Sequence, residues 1–212
     1  MSQPDAPQRR IGLFGGAFDP PHLAHVALAR AALAQLGLDE LRVLPTGQAW
    51  HKARSLSDAQ HRLAMARLAF ASLPGVVVDE RELRRSGPSY TIDTLEELAA
   101  EHPGAAFVLL MGADQWAAFP TWRRWPEIAQ RARLCVLARP GAPRVQPHPG
   151  LPLPESLALP PMDCSATALR QALAQGAAPA QLAAQLPEAV ARYISAHGLY
   201  GHPQPGRPAP HA

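Results

Sequence analysis

The chain has 212 residues, 47% of them hydrophobic and 17% charged, with a formal net charge of +3. That is enough for one domain with a sizeable core; the modest basic excess, with no long run of positive charge, excludes a nucleic-acid-binding stripe and suits an enzyme acting on polyanions. No apolar stretch is long enough to span a bilayer, residues 1–10 are too polar for a signal peptide, and Cys135 and Cys164 lie far apart without CxxC spacing, so both are expected reduced and buried in a cytoplasmic protein.

Arg10 to Phe14 is a short apolar run followed by glycines, as a buried parallel strand would be. His22 to Leu36 is rich in alanine and leucine and stops at Gly37, which predicts a helix with a glycine cap. Leu41 to Pro45 is a second strand, Leu56 to Leu73 a helix stopped by Pro74, and Val76 to Val78 a third strand. Thr91 to Ala100 is predicted helical, Ala105 to Met111 a strongly buried strand, Trp122 to Gln130 a helix, and Leu134 to Ala138 and Ser156 to Leu159 further strands. Ala166 to Gln175, Pro179 to Gln185 and Pro187 to His197 are predicted as closing helices. Eight of the 24 prolines fall between Pro140 and Pro161 and four follow Tyr200. The first group reads as an extended surface loop of open role, the second as a disordered tail, and residues 1–8 as another loose end. Strands alternating with helices imply an α/β fold: a Rossmann-like parallel sheet with helices on both faces and a small helical C-terminal part at about 165–198, within one domain at 9–200. In such sheets ligands bind where strands end and their order reverses.

The chemistry-bearing string follows the first strand: Gly15-Gly16-Ala17-Phe18-Asp19-Pro20-Pro21-His22-Leu23-Ala24-His25. Glycines let the backbone approach a ligand and aim N–H groups at it. The prolines and Asp19 open a helix, whose start attracts phosphate. His22 and His25 share a face of its first turn and can donate to phosphate oxygens whose charge grows in a transition state. Three rival readings compete. An oxidoreductase turn requires GxGxxG, which Gly12, Gly15 and Gly16 do not make. A zinc site needs a further ligand, which His51 could supply, but the companion glycines and prolines argue for phosphate and no metal ligation. A glycine turn with incidental histidines does not account for the whole string. Near the C-terminus, Cys164-Ser165-Ala166-Thr167-Ala168-Leu169-Arg170 places Ser165 and Thr167 at a helix start, where hydroxyls cap the helix or bind phosphate. Arg170 lies within the first turns of the same helix, within reach of phosphates. Alone, that segment reads as a capped helix with a solvated arginine; it gains meaning only when paired with the first string.

Together the two segments resemble the GGxFDPxHxGH and ISSTxIR signatures of the nucleotidyltransferase superfamily, with Ala24 where a glycine is usual. Further segments resemble the bacterial nicotinate-nucleotide adenylyltransferases from about residue 10 to residue 198: Ser89 to Leu95 (SYTIDTL), Gly112-Ala113-Asp114, Phe119-Pro120-Thr121-Trp122 and Arg139-Pro140-Gly141. The resemblance implies transfer of AMP from ATP to nicotinate mononucleotide, giving nicotinate adenine dinucleotide and pyrophosphate. It implies direct attack without a covalent enzyme intermediate, so the protein positions groups and stabilises charge. His22, His25 and Arg170 would then be catalytic. Gly15, Gly16, Ala17, Phe18, Gly112, Asp114, Ser165 and Thr167 would bind ATP. His51, Lys52, Thr91, Trp122 and Arg123 would bind the acceptor, with Trp122 stacking on the pyridine ring. Asp114 could instead cap a helix, and Trp122 could be core or rim. The segment Trp50-His51-Lys52 departs from the family's proline at Trp50. Mg2+ is implied, carried on the ATP phosphates. ATP and nicotinate mononucleotide are the expected partners, with no nucleic acid or membrane, and the sequence leaves homo-oligomerisation open. The charge run Asp79 to Arg85 is expected to be solvated surface. A transferase for another phosphate acceptor, such as phosphopantetheine, and a non-catalytic nucleotide-binding regulator are the alternatives.

Overall fold

A computed structural model describes residues 8–47, 56–138, 145–160 and 162–201. The expected tails, the segment Trp50-His51-Lys52 and Arg139-Pro140-Gly141 therefore lie outside the described residues or at their edge.

The strands are β1 (Arg10–Gly16), β2 (Glu40–Pro45), β3 (Val76–Val78), β4 (Ala106–Gly112), β5 (Ala132–Ala138) and β6 (Glu155–Ala158). They form one sheet in the order β3-β2-β1-β4-β5-β6, and every pairing is parallel. The helices are α1 (Leu23–Gln35), α2 (Ala59–Phe70), α3 (Arg81–Arg84), α4 (Thr91–Glu101), α5 (Ala113–Ala118), α6 (Trp125–Arg131), α7 (Ala166–Ala174) and α8 (Glu188–His197). Alternate residues of the central strands face opposite sides. Phe14, Val108, Leu110, Cys135 and Leu137 pack against α1, α2, α7 and α8. Ile11, Leu13, Phe107, Leu109, Met111, Leu134 and Val136 pack against α4 and α6. In α4 the fully buried Ile92, Leu95 and Leu98 form one stripe facing the sheet, and each contributes about 1.5–3 kcal/mol relative to exposure.

Local chemistry sets the ends. Asp58 caps α2 by accepting from the Gln60 N–H at 2.8 Å, so the helix starts later than Leu56. Gly37 has φ +58° just past α1, the left-handed stop its sequence predicts. Two predicted helices are corrected. Trp122 to Gln130 is broken: a 3-10 turn covers Phe119–Thr121, Arg124 sits at φ 54°, and α6 begins at Trp125 with Pro126 in its first turn. Proline suits that turn because its missing N–H has no helical partner. Pro179 to Gln185 yields a 3-10 turn over Pro179–Leu182. The short helices α3 and α5 were not predicted. Cys135 is buried as expected, but Cys164 is partly exposed. Among the described residues no helix is long and apolar enough to cross a membrane.

The proline-rich loop is anchored where it is described. The Trp116 indole donates to the Gln146 carbonyl at 2.8 Å, and the His148 imidazole donates to the Trp116 carbonyl at 2.8 Å. Val145 and Leu151 pack against the core beneath.

Candidate active site

Strand order reverses between β1 and β4, which run side by side with Phe14 beside Leu110. Their carboxyl ends open into a cavity of about 500 Å³, where a ligand is expected in an open α/β sheet. At the β1 end it is lined by Gly15, Gly16, Ala17, Phe18, Asp19, His22 and His25, and from the C-terminal helices by Thr167 and Arg170. At the β4 end it is lined by Gly112, Asp114 and Gln115, and beyond them by Thr91, Trp122 and Arg123.

The glycine pair belongs to the end of β1, with Gly15 beside Leu44 and Gly16 beside Pro45. A side chain at Gly16 would meet the Phe18 ring at 3.1–3.4 Å. Phe18 itself sits at φ 48°, a conformation uncommon for a non-glycine residue, and its buried ring packs edge-on to Phe14 and Phe70. The turn redirects the chain into α1, whose N-cap is His22. The rings of His22 and His25 stack with centroids 3.7 Å apart, and Phe18 meets His25 edge-on at 5.1 Å. His22 is 4% exposed. The His22 backbone N–H donates to His25 Nδ1 at 3.1 Å. A neutral His25 therefore carries its proton on Nε2, as a donor. Ala24 is not among the cavity-lining residues.

The two ends of the chain meet here. Arg170 donates from Nη1 to the Asp19 carbonyl at 2.7 Å and from Nη2 to the Thr167 hydroxyl at 3.1 Å. Ser165 is the exposed N-cap of α7, accepting from the Ala168 N–H at 3.5 Å; it is not among the residues lining the cavity. The structure thus brings together His22, His25, Thr167 and Arg170, and leaves Ser165 in a capping role. Asp114 occupies the first turn of α5, and a side chain at Gly112 would meet its Oδ1 at 2.6 Å. The helix cap is Gly112 and makes no side-chain hydrogen bond, so Asp114 is not the cap. On the far side, Thr91 opens α4. Trp122 packs edge-on to Phe119 at 5.6 Å, and the Arg123 guanidinium lies 4.6 Å over the Tyr90 ring. His51 and Lys52 lie outside the described residues.

Several contributors escaped the sequence reading. Asp19 is 1% exposed; its carboxylate accepts from the Ser57 N–H at 3.2 Å and the Tyr200 hydroxyl at 2.7 Å. Arg62, 2% exposed, donates to the carbonyls of Ala17, Thr46 and Ser57 at 2.8–3.0 Å. Most of these partnerships leave no local sequence trace, because Arg62 lies far along the chain from Ala17 and Thr46, and Asp19 from Ser57 and Tyr200. The expected solvated charge run is also corrected. Asp79 and Glu82 are buried, and Arg81 and Arg85 side chains are 14% and 17% exposed. Arg81 bridges Asp79 and Glu101, which holds the Asp79 carboxyl below the usual carboxylate range. Glu82 lines the cavity and accepts from the Thr94 hydroxyl at 3.0 Å. Burial pushes its carboxyl up to about 7.

Residues 13–172 match the cytidylyltransferase-like family. A "Probable nicotinate-nucleotide adenylyltransferase" of Albidiferax ferrireducens is 54% identical over 91% of this chain and 98% of its own length. One of the same name from Methylibium petroleiphilum is 45% identical over 96% of this chain and 98% of its own length. Among solved structures, the fold is similar to Plasmodium falciparum nicotinic acid mononucleotide adenylyltransferase complexed with NaAD, with a TM-score of 0.77 at 18% identity, covering 92% of this chain and 99% of that one.

Proposed function

We propose a reaction for this chain, which belongs to the cytidylyltransferase-like family and, within it, to the nicotinate-nucleotide adenylyltransferases: AMP passes from ATP to nicotinate mononucleotide, giving nicotinate adenine dinucleotide and pyrophosphate. The observation that carries it is the meeting of Arg170 with the Asp19 carbonyl at 2.7 Å, which joins the loop before α1 and the start of α7 at one end of a cavity whose other end is aromatic.

An oxygen of the mononucleotide phosphate attacks the α-phosphorus of ATP, and the bond from that phosphorus to the bridging oxygen of pyrophosphate breaks. Negative charge grows on the equatorial oxygens and on the leaving group. His25 Nε2 and the start of α1 meet the first, and Arg170, held in place by Asp19 and Thr167, meets the second. No side chain needs to act as a nucleophile. The one carboxylate at this end, Asp19, accepts from the Ser57 N–H and the Tyr200 hydroxyl; the other groups are imidazoles, a guanidinium and backbone donors, which suit phosphate oxygens rather than a cation. Mg2+ would thus be ligated by the nucleotide's own oxygens, neutralising charge on pyrophosphate. The adenosine lies towards Gly112 and Asp114. The pyridine ring lies against Trp122, its carboxylate towards Thr91 and Arg123, where a helix start and a guanidinium favour an anion. Residues 9–200 act as one domain in this reading, since α7 and α8 share a core cluster with α1 and α2, and the enzyme works in the cytoplasm.

The test is a pyrophosphate-release assay with ATP and Mg2+ across acceptors. Nicotinate mononucleotide should turn over fastest, nicotinamide mononucleotide more slowly and phosphopantetheine not at all. Nucleotide binding without pyrophosphate release for any acceptor would identify a regulator instead.

A further inference from the structure

Tyr200 lies 181 residues from Asp19 and donates its hydroxyl to Asp19 Oδ1 at 2.7 Å. The chain reaches this position by a contorted route. Helix α8 ends at Gly198 with φ 59°, Tyr200 follows at φ 61° and ψ 30°, and Gly201 at φ 80°. Left-handed backbone at a tyrosine is a strained conformation, kept where surrounding contacts over-determine it. Here it turns the ring back towards the sheet, among the side chains of the α1, α2, α7 and α8 core, with Met65 Sδ at 3.9 Å from the hydroxyl. At the other end of the bond, Asp19 follows Phe18, which is also left-handed at φ 48°.

We propose that Tyr200 is a positioning residue for adenylyl transfer, acting through Asp19. Its hydroxyl and the Ser57 N–H each hold one oxygen of the buried Asp19 carboxylate. The same residue's carbonyl receives Arg170, and two prolines later the chain enters α1 at His22. A buried carboxylate needs such donors to stay fixed. Burial and the neighbouring Asp19 push the Tyr200 hydroxyl's pKa far up, so it remains a donor throughout the working pH range. Loss of the hydroxyl removes one of the donors that fix Asp19 and shifts the carbonyl that aims Arg170 and the chain leading to the histidines of α1. The acceptor end at Trp122 has no part in this linkage. The inference rests on the reading of this loop as the phosphate site.

Tyr200→Phe keeps the ring and removes only the donor. Tyr193→Phe is the control: that hydroxyl, on the neighbouring α8, meets His61 Nδ1 at 2.9 Å instead. Steady-state kinetics with both substrates varied, together with melting curves, should show kcat of Tyr200→Phe reduced on the order of tenfold, as for a small misplacement of catalytic groups. KM for nicotinate mononucleotide should stay unchanged, and Tyr193→Phe should keep wild-type kcat. Because the hydroxyl acts through Asp19, the double variant Tyr200→Phe/Asp19→Asn should be no slower than Asp19→Asn alone. Wild-type kcat in a folded Tyr200→Phe protein overturns the proposal, as do effects of the two substitutions that multiply. His25→Ala and Arg170→Ala measured alongside separate the two readings. If they turn over normally, the phosphate-site reading fails; if they are impaired while Tyr200→Phe is not, this proposal alone fails.

Discussion

At one end of the cavity a single loop is held by side chains arriving from across the chain: Arg62 on the Ala17 carbonyl, Arg170 on the Asp19 carbonyl, Tyr200 on the Asp19 carboxylate. At the other end, Trp122 and Arg123 are placed by ring contacts with Phe119 and Tyr90 on the segment between a 3-10 turn and α6. Hydrogen bonds from buried groups fix both distance and direction. Ring contacts fix a plane and tolerate sliding. Phosphoryl chemistry needs donors aimed at particular oxygens, whereas a flat heterocycle needs a flat wall. The difference predicts that substitutions at the first end will act on turnover and those at the second on acceptor affinity.

The largest effect should fall at His25. Its Nδ1 is occupied by the His22 N–H, so Nε2 is the donor that alanine removes. Loss of one such donor costs about 2–4 kcal/mol of transition-state stabilisation, seen as a fall in kcat with KM for ATP little changed. Wild-type turnover in His25→Ala would break the comparison at its stronger side.

Next is Glu82, a buried carboxyl on the cavity wall. Burial raises its folded-state pKa to about 7, above the ordinary glutamate value of 4.5. A raised acid is protonated in the folded chain where the unfolded chain has already lost the proton. The stability it contributes is full below about pH 4.5 and is lost as pH rises to about 7, by about 3 kcal/mol at most. Asp79, whose pKa is lowered, acts in the opposite sense at more acid pH and leaves this window clear. Denaturant unfolding between pH 5 and 7.5 should show stability falling with pH in the wild type and a flatter profile in Glu82→Gln. Equal slopes in the two proteins would mean that Glu82 is ionised in the folded state.

Trp122→Ala should raise KM for nicotinate mononucleotide about two- to tenfold, from the roughly 0.5–1.5 kcal/mol of an aromatic pair, and leave KM for ATP unchanged. Arg170→Ala, at the other end, should lower kcat and leave KM for nicotinate mononucleotide unchanged. Equal effects of Trp122→Ala on both substrates would make that tryptophan part of the wall's structure rather than of the pyridine site.

The same contrast governs what could be read from the sequence. Strand runs such as Ala105 to Met111 and the string from Gly15 to His25 are local patterns, and the sheet and the cavity's first end followed from them. Thr91, Trp122 and Arg123, which line the cavity, carry no pattern of their own and enter only through resemblance. Trp122 was placed on a helix because its neighbours are helix-compatible, whereas the left-handed Arg124 and the following Pro126 delay that helix. The run from Asp79 to Arg85 looked solvated because its partners, Glu97 and Glu101, lie on α4. Arg62 and Tyr200 looked like an ordinary helix arginine and a terminal aromatic; their roles exist only once β1 and the two C-terminal helices have packed together.

The smallest expected effect is at Thr91, and it separates two kinds of donor at the acceptor end. Thr91 opens α4 and lines the cavity. Its hydroxyl both donates and accepts, so it can turn to meet a carboxylate or the NH2 of a carboxamide. The backbone N–H groups of the helix start and the Arg123 guanidinium are donors alone, and on the proposed placement of the acceptor they would lose a partner when the amide replaces the acid. Preference for the acid should therefore reside in Arg123 and the start of α4, and Thr91 should contribute affinity without selectivity. Thr91→Val keeps the β-branched shape and removes the hydroxyl, costing about 0.5–1 kcal/mol. KM for the acid and the amide mononucleotide should rise together, about two- to fivefold, with their ratio held within about a factor of two. Arg123→Gln should lower the ratio while leaving KM for ATP alone. A collapse of the acid preference in Thr91→Val would mean that the hydroxyl is locked as a donor, and selectivity would then belong to Thr91 rather than to the charged wall beside it.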